Sequence, residues 1–238
     1  MPEQLTYKGL PVPEIAAWTG ERLPQPHIVQ ASDGIAFEDA IGANGNAQGR
    51  DKAGALWKRW ALRRGVGEAL FDVVHAPRQK RAMRLFLCQV CNRPSDVNEQ
   101  GRLWLLEDYR GVEGWPEREV TTHPPLCRAH ASVAARLCPH LRDNVVAVRA
   151  RTAVVDGVYG SLYRRGPGPL PVLAAKKTVV FKGDWRMRWM VGTQLAATLM
   201  DVTVVDLDEL QAGSTTREAA SASCLRAICP SWSGGTGA

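Results

Sequence analysis

Residues 88–91 read CQVC and residues 127–130 read CRAH. Thiolate and imidazole are the donors that suit a borderline-soft ion such as Zn2+, which takes four of them in a tetrahedron. Two residues between two cysteines let the backbone fold into a knuckle that converges both sulfurs on one point, so Cys88 and Cys91 make a first half-site. Cys127 and His130, at i and i+3, share one face of a helix. Pro124 and Pro125 stop that helix from beginning earlier, which places Cys127 near its start, where the helix dipole favours a thiolate. The expectation is one structural Zn2+ per chain, held by Cys88, Cys91, Cys127 and His130. The competing reading makes the thiols small buried apolar groups.

Other donors lie nearby. Cys138 is eleven residues beyond Cys127, about 16 Å along a helix, so one ion cannot reach both ends and Cys138 reads as a core thiol. His140 is a reserve ligand should His130 point outward, and His123 is a weaker one. Cys224 and Cys229 carry little metal signal. His27 and His75 have no partner pattern and read as ordinary surface or core histidines.

The order of knuckle, hairpin and helix-borne pair resembles the treble-clef zinc fingers over Leu87–Leu141. The CQVC segment, the LWLL strand and the PPLC helix also look like a group of actinobacterial proteins in which the second pair is often Cys-x2-Cys. His130 departs from that pattern while keeping a zinc donor. Neither resemblance implies an activity. CRAHA is similar to the zinc-knuckle helix of some HNH-type nucleases, but those need a histidine base on the hairpin, and residues 92–122 contain none. Three thiolates with one imidazole imply a closed site, not a catalytic ion with an open position for water. No nucleophile elbow, phosphate loop or dinucleotide fingerprint occurs. The chain therefore reads as non-catalytic.

Charge points to a partner. The net charge is +6, and residues 50–93 hold eleven basic against three acidic side chains, residues 127–200 twelve against three. Arg78, Lys80, Arg81 and Arg84 lead into the knuckle, and Arg128 and Arg136 follow it. On one surface they would contact nucleic-acid phosphates without reading bases, with Trp57, Trp60, Trp185 and Trp189 as stacking surfaces. A protein-interaction adaptor is the rival reading. A reducing cytoplasm is expected, since no secretory leader precedes the first proline-rich stretch and six cysteines suit metal or buried thiols there. No apolar run is long enough to span a membrane.

The elements that must position these groups read as an α+β fold. It has a helical N-terminal arm, a central zinc-knuckle or treble-clef-like module, and a C-terminal β-hairpin followed by a helix and a strand. Residues 1–49 read as an otherwise irregular arm with one short helix near Glu14–Trp18. Residues 50–141 hold helices over 51–64 and from Pro77 toward Cys88, then the metal pairs. Residues 142–211 are β-rich: a hairpin turning at Asp156–Gly157, a strand at KTVVFK, a helix over 185–200 capped by Asp184, and a final strand. Within the module, Leu103 and Leu105 alternate with Trp104 and Leu106, which predicts a strand covered on both faces. Residues 212–238 read as a disordered tail.

Overall fold

Valine and alanine crowd the stretches 145–164 and 190–205, and β-branched residues pack well on a pleated surface. In the computed structural model, which describes residues 4–137 and 144–206, these stretches are two long strands. Cys138, His140, Cys224, Cys229 and the expected tail lie outside the described residues.

The first third of the chain forms β1 (Thr6–Tyr7), β2 (Leu10–Pro11), β3 (Ala16–Trp18), β4 (Ile28–Ala31), β5 (Gly34–Phe37), β6 (Leu56–Trp57) and β7 (Ala69–Val74). Helix α1 (Ala76–Arg84) follows, then β8 (Val97–Asn98), β9 (Gly101–Glu107), β10 (Val120–Thr121) and helix α2 (Arg128–Leu137). The described chain ends with β11 (Val145–Arg164), β12 (Val172–Phe181) and β13 (Met190–Val205). Seven strands make one mixed sheet in the order β10-β13-β11-β9-β8, with β12 on β11 and β6 parallel to β13. β1 pairs with β2, β3 with β7 and β4 with β5.

At 44% strand against 14% helix, the protein is mostly β, and the expected α+β arrangement with a helical arm is overturned. Around Glu14–Trp18 the chain forms β3 and a 3-10 turn, with β3 paired to β7 instead of coiling. The helix expected over 51–64 is absent as well. Asp51 accepts from the amides of Ala53 and Ala55 and from the Trp57 indole, and Gly54 takes a φ of 98°, so a side-chain-capped loop leads into β6.

Asp156–Gly157 is not a turn but a register shift inside β11. Gly157 is needed for closeness: a Cβ there would stand 2.9 Å from both Ala196 and Val179. The stretch expected as a helix over 185–200 begins as a 3-10 turn, Trp185–Trp189, whose Arg186 amide is capped by Asp184. It then runs into β13, where pairing with β11 from Met190 to Val205 decides against the helix.

Two cores sit on opposite faces of the sheet. Trp104, Leu106, Val146 and Val148 point to one, joined by Met83 of α1 and by Met190 and Leu199. Leu103, Leu105 and Ala147 point to the other, where Ala131, Ala134 and Ala135 of α2 cover them. The alternation in β9 thus has both faces buried. Alanines on α2 let its backbone lie close to β9.

Along its outer edge β13 pairs with β6 at Val191–Gly192 and with β10 at Ala197–Thr198. Between them, the fully buried Gln79 of α1 stands in for a strand. Its amide accepts from Leu195 N–H at 2.9 Å and donates to Leu195 C=O at 2.9 Å and to Thr122 C=O at 2.7 Å. Gln79→Ala would leave three buried backbone groups without partners. It is expected to lower unfolding stability by about 2–4 kcal/mol, seen in urea titration as a lower midpoint at unchanged slope.

Candidate metal centre

Cys88–Arg93 folds as a knuckle because its ends bond to each other. Cys88 N–H donates to Arg93 C=O at 2.7 Å and Asn92 N–H to Cys88 C=O at 2.8 Å. The turn needs a left-handed residue after the second cysteine, and Asn92 supplies it with a φ of 57°. The knuckle is then pinned from two sides. Gln89 N–H bonds to Pro125 C=O, while Glu14 and Ile15 donate to Val90 and Gln89. Leu126 N–H reaches Leu103 C=O on β9, and Asp96 N–H reaches Leu126 C=O. Asp96 is itself held by the buried Arg149 of β11, which also donates to Gly101 C=O. Backbone bonds thus bring the residues just before Cys127 alongside the first cysteine pair.

The ligand atoms of Cys88, Cys91, Cys127 and His130 lie within 4.8 Å of one another, so the four could hold a metal ion. Cys91 Sγ is 4.0 Å from Cys127 Sγ, and His130 Nδ1 is 3.8 Å from Cys88 Sγ and 3.0 Å from Cys127 Sγ. Cys88 is fully buried, while the other three are half-buried. Among the described residues no carboxylate and no further histidine joins the group. His123 stands apart, its imidazole pushed down by burial.

Without a cation the donors share protons. Hydrogen bonds from Cys127 and Cys91, then burial, push the Cys88 thiol far up. Cys127 and then Cys88 drive the Cys91 thiol far down, helped by the Arg93 backbone amide. Burial opposes a charged His130, but hydrogen bonds to Cys127 and Cys91 and the charge on both outweigh it and raise the imidazole to about 9.

Of the basic side chains expected to face a partner, Arg78 is not exposed. Arg78 faces inward and grips the buried Glu21 through both guanidinium nitrogens, while donating to Glu14 and Ala16 carbonyls. His75 is fully buried beside this pair, 3.5 Å from Glu21 and packed on Trp60. Arg81 bonds to the Asn92 side chain of the knuckle. Lys80 lies over Trp57, and Arg84 and Arg128 are exposed on α1 and α2. The Arg136 side chain lies outside the described set. Of the tryptophans offered for stacking, Trp185 is the most open at 74% exposure, whereas Trp189 packs beside Ile35 and Leu56. The Glu21–Arg78–His75 cluster left no sequence signal, because Glu21 is 57 residues from Arg78.

No known protein family, curated protein or solved structure matches the chain. Among the described residues no helix is long and apolar enough to cross a membrane.

A metal ion must displace the protons on Cys88 and His130 to bind. Uptake of a divalent ion at pH 7 is therefore expected to release at least about two protons, measured by calorimetry in buffers of different ionisation enthalpy. His130, raised above its unfolded value of 6.5, stabilises the metal-free fold below that pH and loses this effect as pH rises through about 9. Acidification works in the opposite sense on the metal-bound protein, since protons compete for the donors and weaken binding.

Proposed function

We propose that Cys88, Cys91, Cys127 and His130 hold one structural zinc ion, and that the module around it binds nucleic acid through basic side chains of α1 and α2. The donor spacing carries the zinc assignment. Tetrahedral zinc with thiolate bonds of about 2.3 Å has sulfur–sulfur edges of about 3.8 Å and sulfur–nitrogen edges of about 3.5 Å. The 4.0 Å Cys91–Cys127 and 3.8 Å Cys88–His130 separations lie near those lengths. The 3.0 Å Cys127–His130 contact opens by about half an ångström on binding. Three soft donors and one imidazole favour zinc over magnesium or calcium, which prefer oxygen. Four protein ligands leave no position for a reactive water, so the ion stabilises and does not catalyse. Knuckle, β8–β9 hairpin and α2 follow in treble-clef order, which supports that class for this segment.

Three observations support nucleic acid as the partner. Arg81 and Arg84 are exposed on α1, Arg128 is exposed at the start of α2, and Arg81 ties α1 to the knuckle through Asn92. Phosphate contacts from such side chains give affinity without sequence preference. One observation favours the adaptor reading instead: Trp185, Phe181 and Leu173 are exposed on the β12–β13 side. Aromatic anchors of that kind suit a protein surface.

Protein purified without tags or chelators is expected to carry about one zinc per chain, read by elemental analysis. Cys88→Ser and Cys127→Ser should lose the metal and melt the segment, while Cys224→Ser should leave zinc content intact. Nucleic-acid affinity should fall steeply with salt, whereas an interface centred on Trp185 would respond weakly. Metal-free protein in which Cys88, Cys91 and Cys127 titrate freely would contradict the assignment.

A further inference from the structure

The outer side of α1 and the chain after β6 enclose a groove of about 470 Å3. Trp57 and Leu85 give it an apolar floor, and Lys58, Lys80, Arg81 and Arg84 set four cations around it, with no acidic residue in the lining. Among the described residues none of these four makes an ion pair. The floor is held rigidly. Trp57 Nε1 donates to Asp51 at 2.7 Å, Gly192 brings the backbone of β13 against the ring, and Lys80 Nζ stands 3.7 Å from the ring centre. Leu85 is 58% exposed, an apolar side chain left open beside the cations.

Lys80 and Arg84 are one helical turn apart, about 6 Å along the axis, which lets them hold adjoining phosphates. Burial pulls the Lys80 ammonium below its ordinary value, Asp51 offsets part of this, and Arg84 pulls it further down. A second anion near Lys80 would relieve that cost. The occupant must therefore bring closely spaced negative charges and a flat apolar face.

We propose that this groove binds one or two nucleotide units of a single strand, with phosphates on Lys58, Lys80 and Arg84 and a base against the exposed Leu85, at the rim of the Lys80-covered Trp57. This rests on the nucleic-acid reading above and specifies its form. Bases stacked inside a duplex cannot reach the floor, so double-stranded nucleic acid meets only the rim. Polyglutamate can neutralise the cations but brings no flat ring to the apolar floor. The volume falls within the ordinary range for small-molecule sites, roughly 300–1,000 Å3.

Fluorescence anisotropy of the full-length, zinc-loaded protein tests it, using a labelled single strand of mixed sequence. The unlabelled duplex, AMP and polyglutamate serve as competitors. The single strand is expected to bind at least about tenfold tighter than the duplex. AMP should compete weakly, because it fills one subsite, and polyglutamate of equal charge should not compete. Lys58→Gln with Arg84→Gln, both exposed, should weaken binding about tenfold and lower the salt slope by about 1.4 for two phosphates. Lys176→Gln, exposed on β12, should change binding less than about twofold. Lys80→Gln should act in the same direction as the double variant, with its melting curve reporting whether the fold survives.

Wild-type affinity in the folded double variant would overturn the groove while leaving the nucleic-acid reading in place. Failure of the wild type to bind any strand at low salt would remove both. A preference for duplex, or effective competition by polyglutamate, would overturn the single-strand assignment. AMP binding as tight as the strand would place a free nucleotide in the groove and overturn the strand.

Discussion

A β-strand has two hydrogen-bonding edges, and β11 uses both along almost its whole length. β13 takes one edge from Ala147 to Leu162. The other is divided, β9 pairing with the first part and β12 with the last. This division is what the rest of the molecule depends on. It carries β9 into the sheet interior with both faces covered, and β9 in turn holds the segment that delivers Cys127. The 20 residues of β11 give room for both partners on one edge. The register shifts near Gly157 and Gly160 allow the close packing this requires, since a Cβ at Gly160 would meet Val191 backbone at 2.1 Å.

The four candidate donors lie where α2 rests on the sheet through small side chains. α2 meets the sheet through Ala131, Ala134 and Ala135, which bury far less surface than leucines would. Backbone bonds align the knuckle with Pro125 and Leu126, and an ion on the four donors would tie the start of α2 to the knuckle. Metal affinity in such a site becomes folding free energy. The buried pair of Glu21 and Arg78 serves a similar purpose on the other side of α1, anchoring the helix to β3. Breaking such a pair costs about 3–5 kcal/mol. α1 is thus held by a buried ion pair, by Gln79 on the β13 edge and by Arg81 on the knuckle, leaving Arg84 to face outward and Lys80 to lie half-buried over Trp57.

The site was more legible in the sequence than the fold. Cys88, Cys91, Cys127 and His130 converge because a knuckle and a helix start are local geometries that spacing encodes. α1 was legible for the same reason, with Pro77 at its first turn and one polar face. The helix expected over 51–64 failed because Gly54 takes a left-handed φ, Asp51 N–H turns to Ala55 C=O, and Leu56–Trp57 pair with β13, more than 130 residues away. β13 was misread because a strand buried by long-range pairing shows a continuous apolar run, which periodicity cannot separate from a helix. Asp156–Gly157 reads as a turn in isolation and becomes a bulge only when Ala196 and Val179 crowd it from both neighbours. Arg78 looked like its exposed neighbours because nothing local reveals Glu21. In each failure the deciding partner lies far along the chain.

Zinc K-edge X-ray absorption on the metal-loaded protein addresses the central claim most directly, because it reads the donor atoms themselves. The account predicts a first shell of three sulfurs at about 2.3 Å and one nitrogen at about 2.0 Å, with no oxygen. A shell dominated by oxygen and nitrogen, or two sulfurs with bound water, would contradict it and separate CQVC from CRAH.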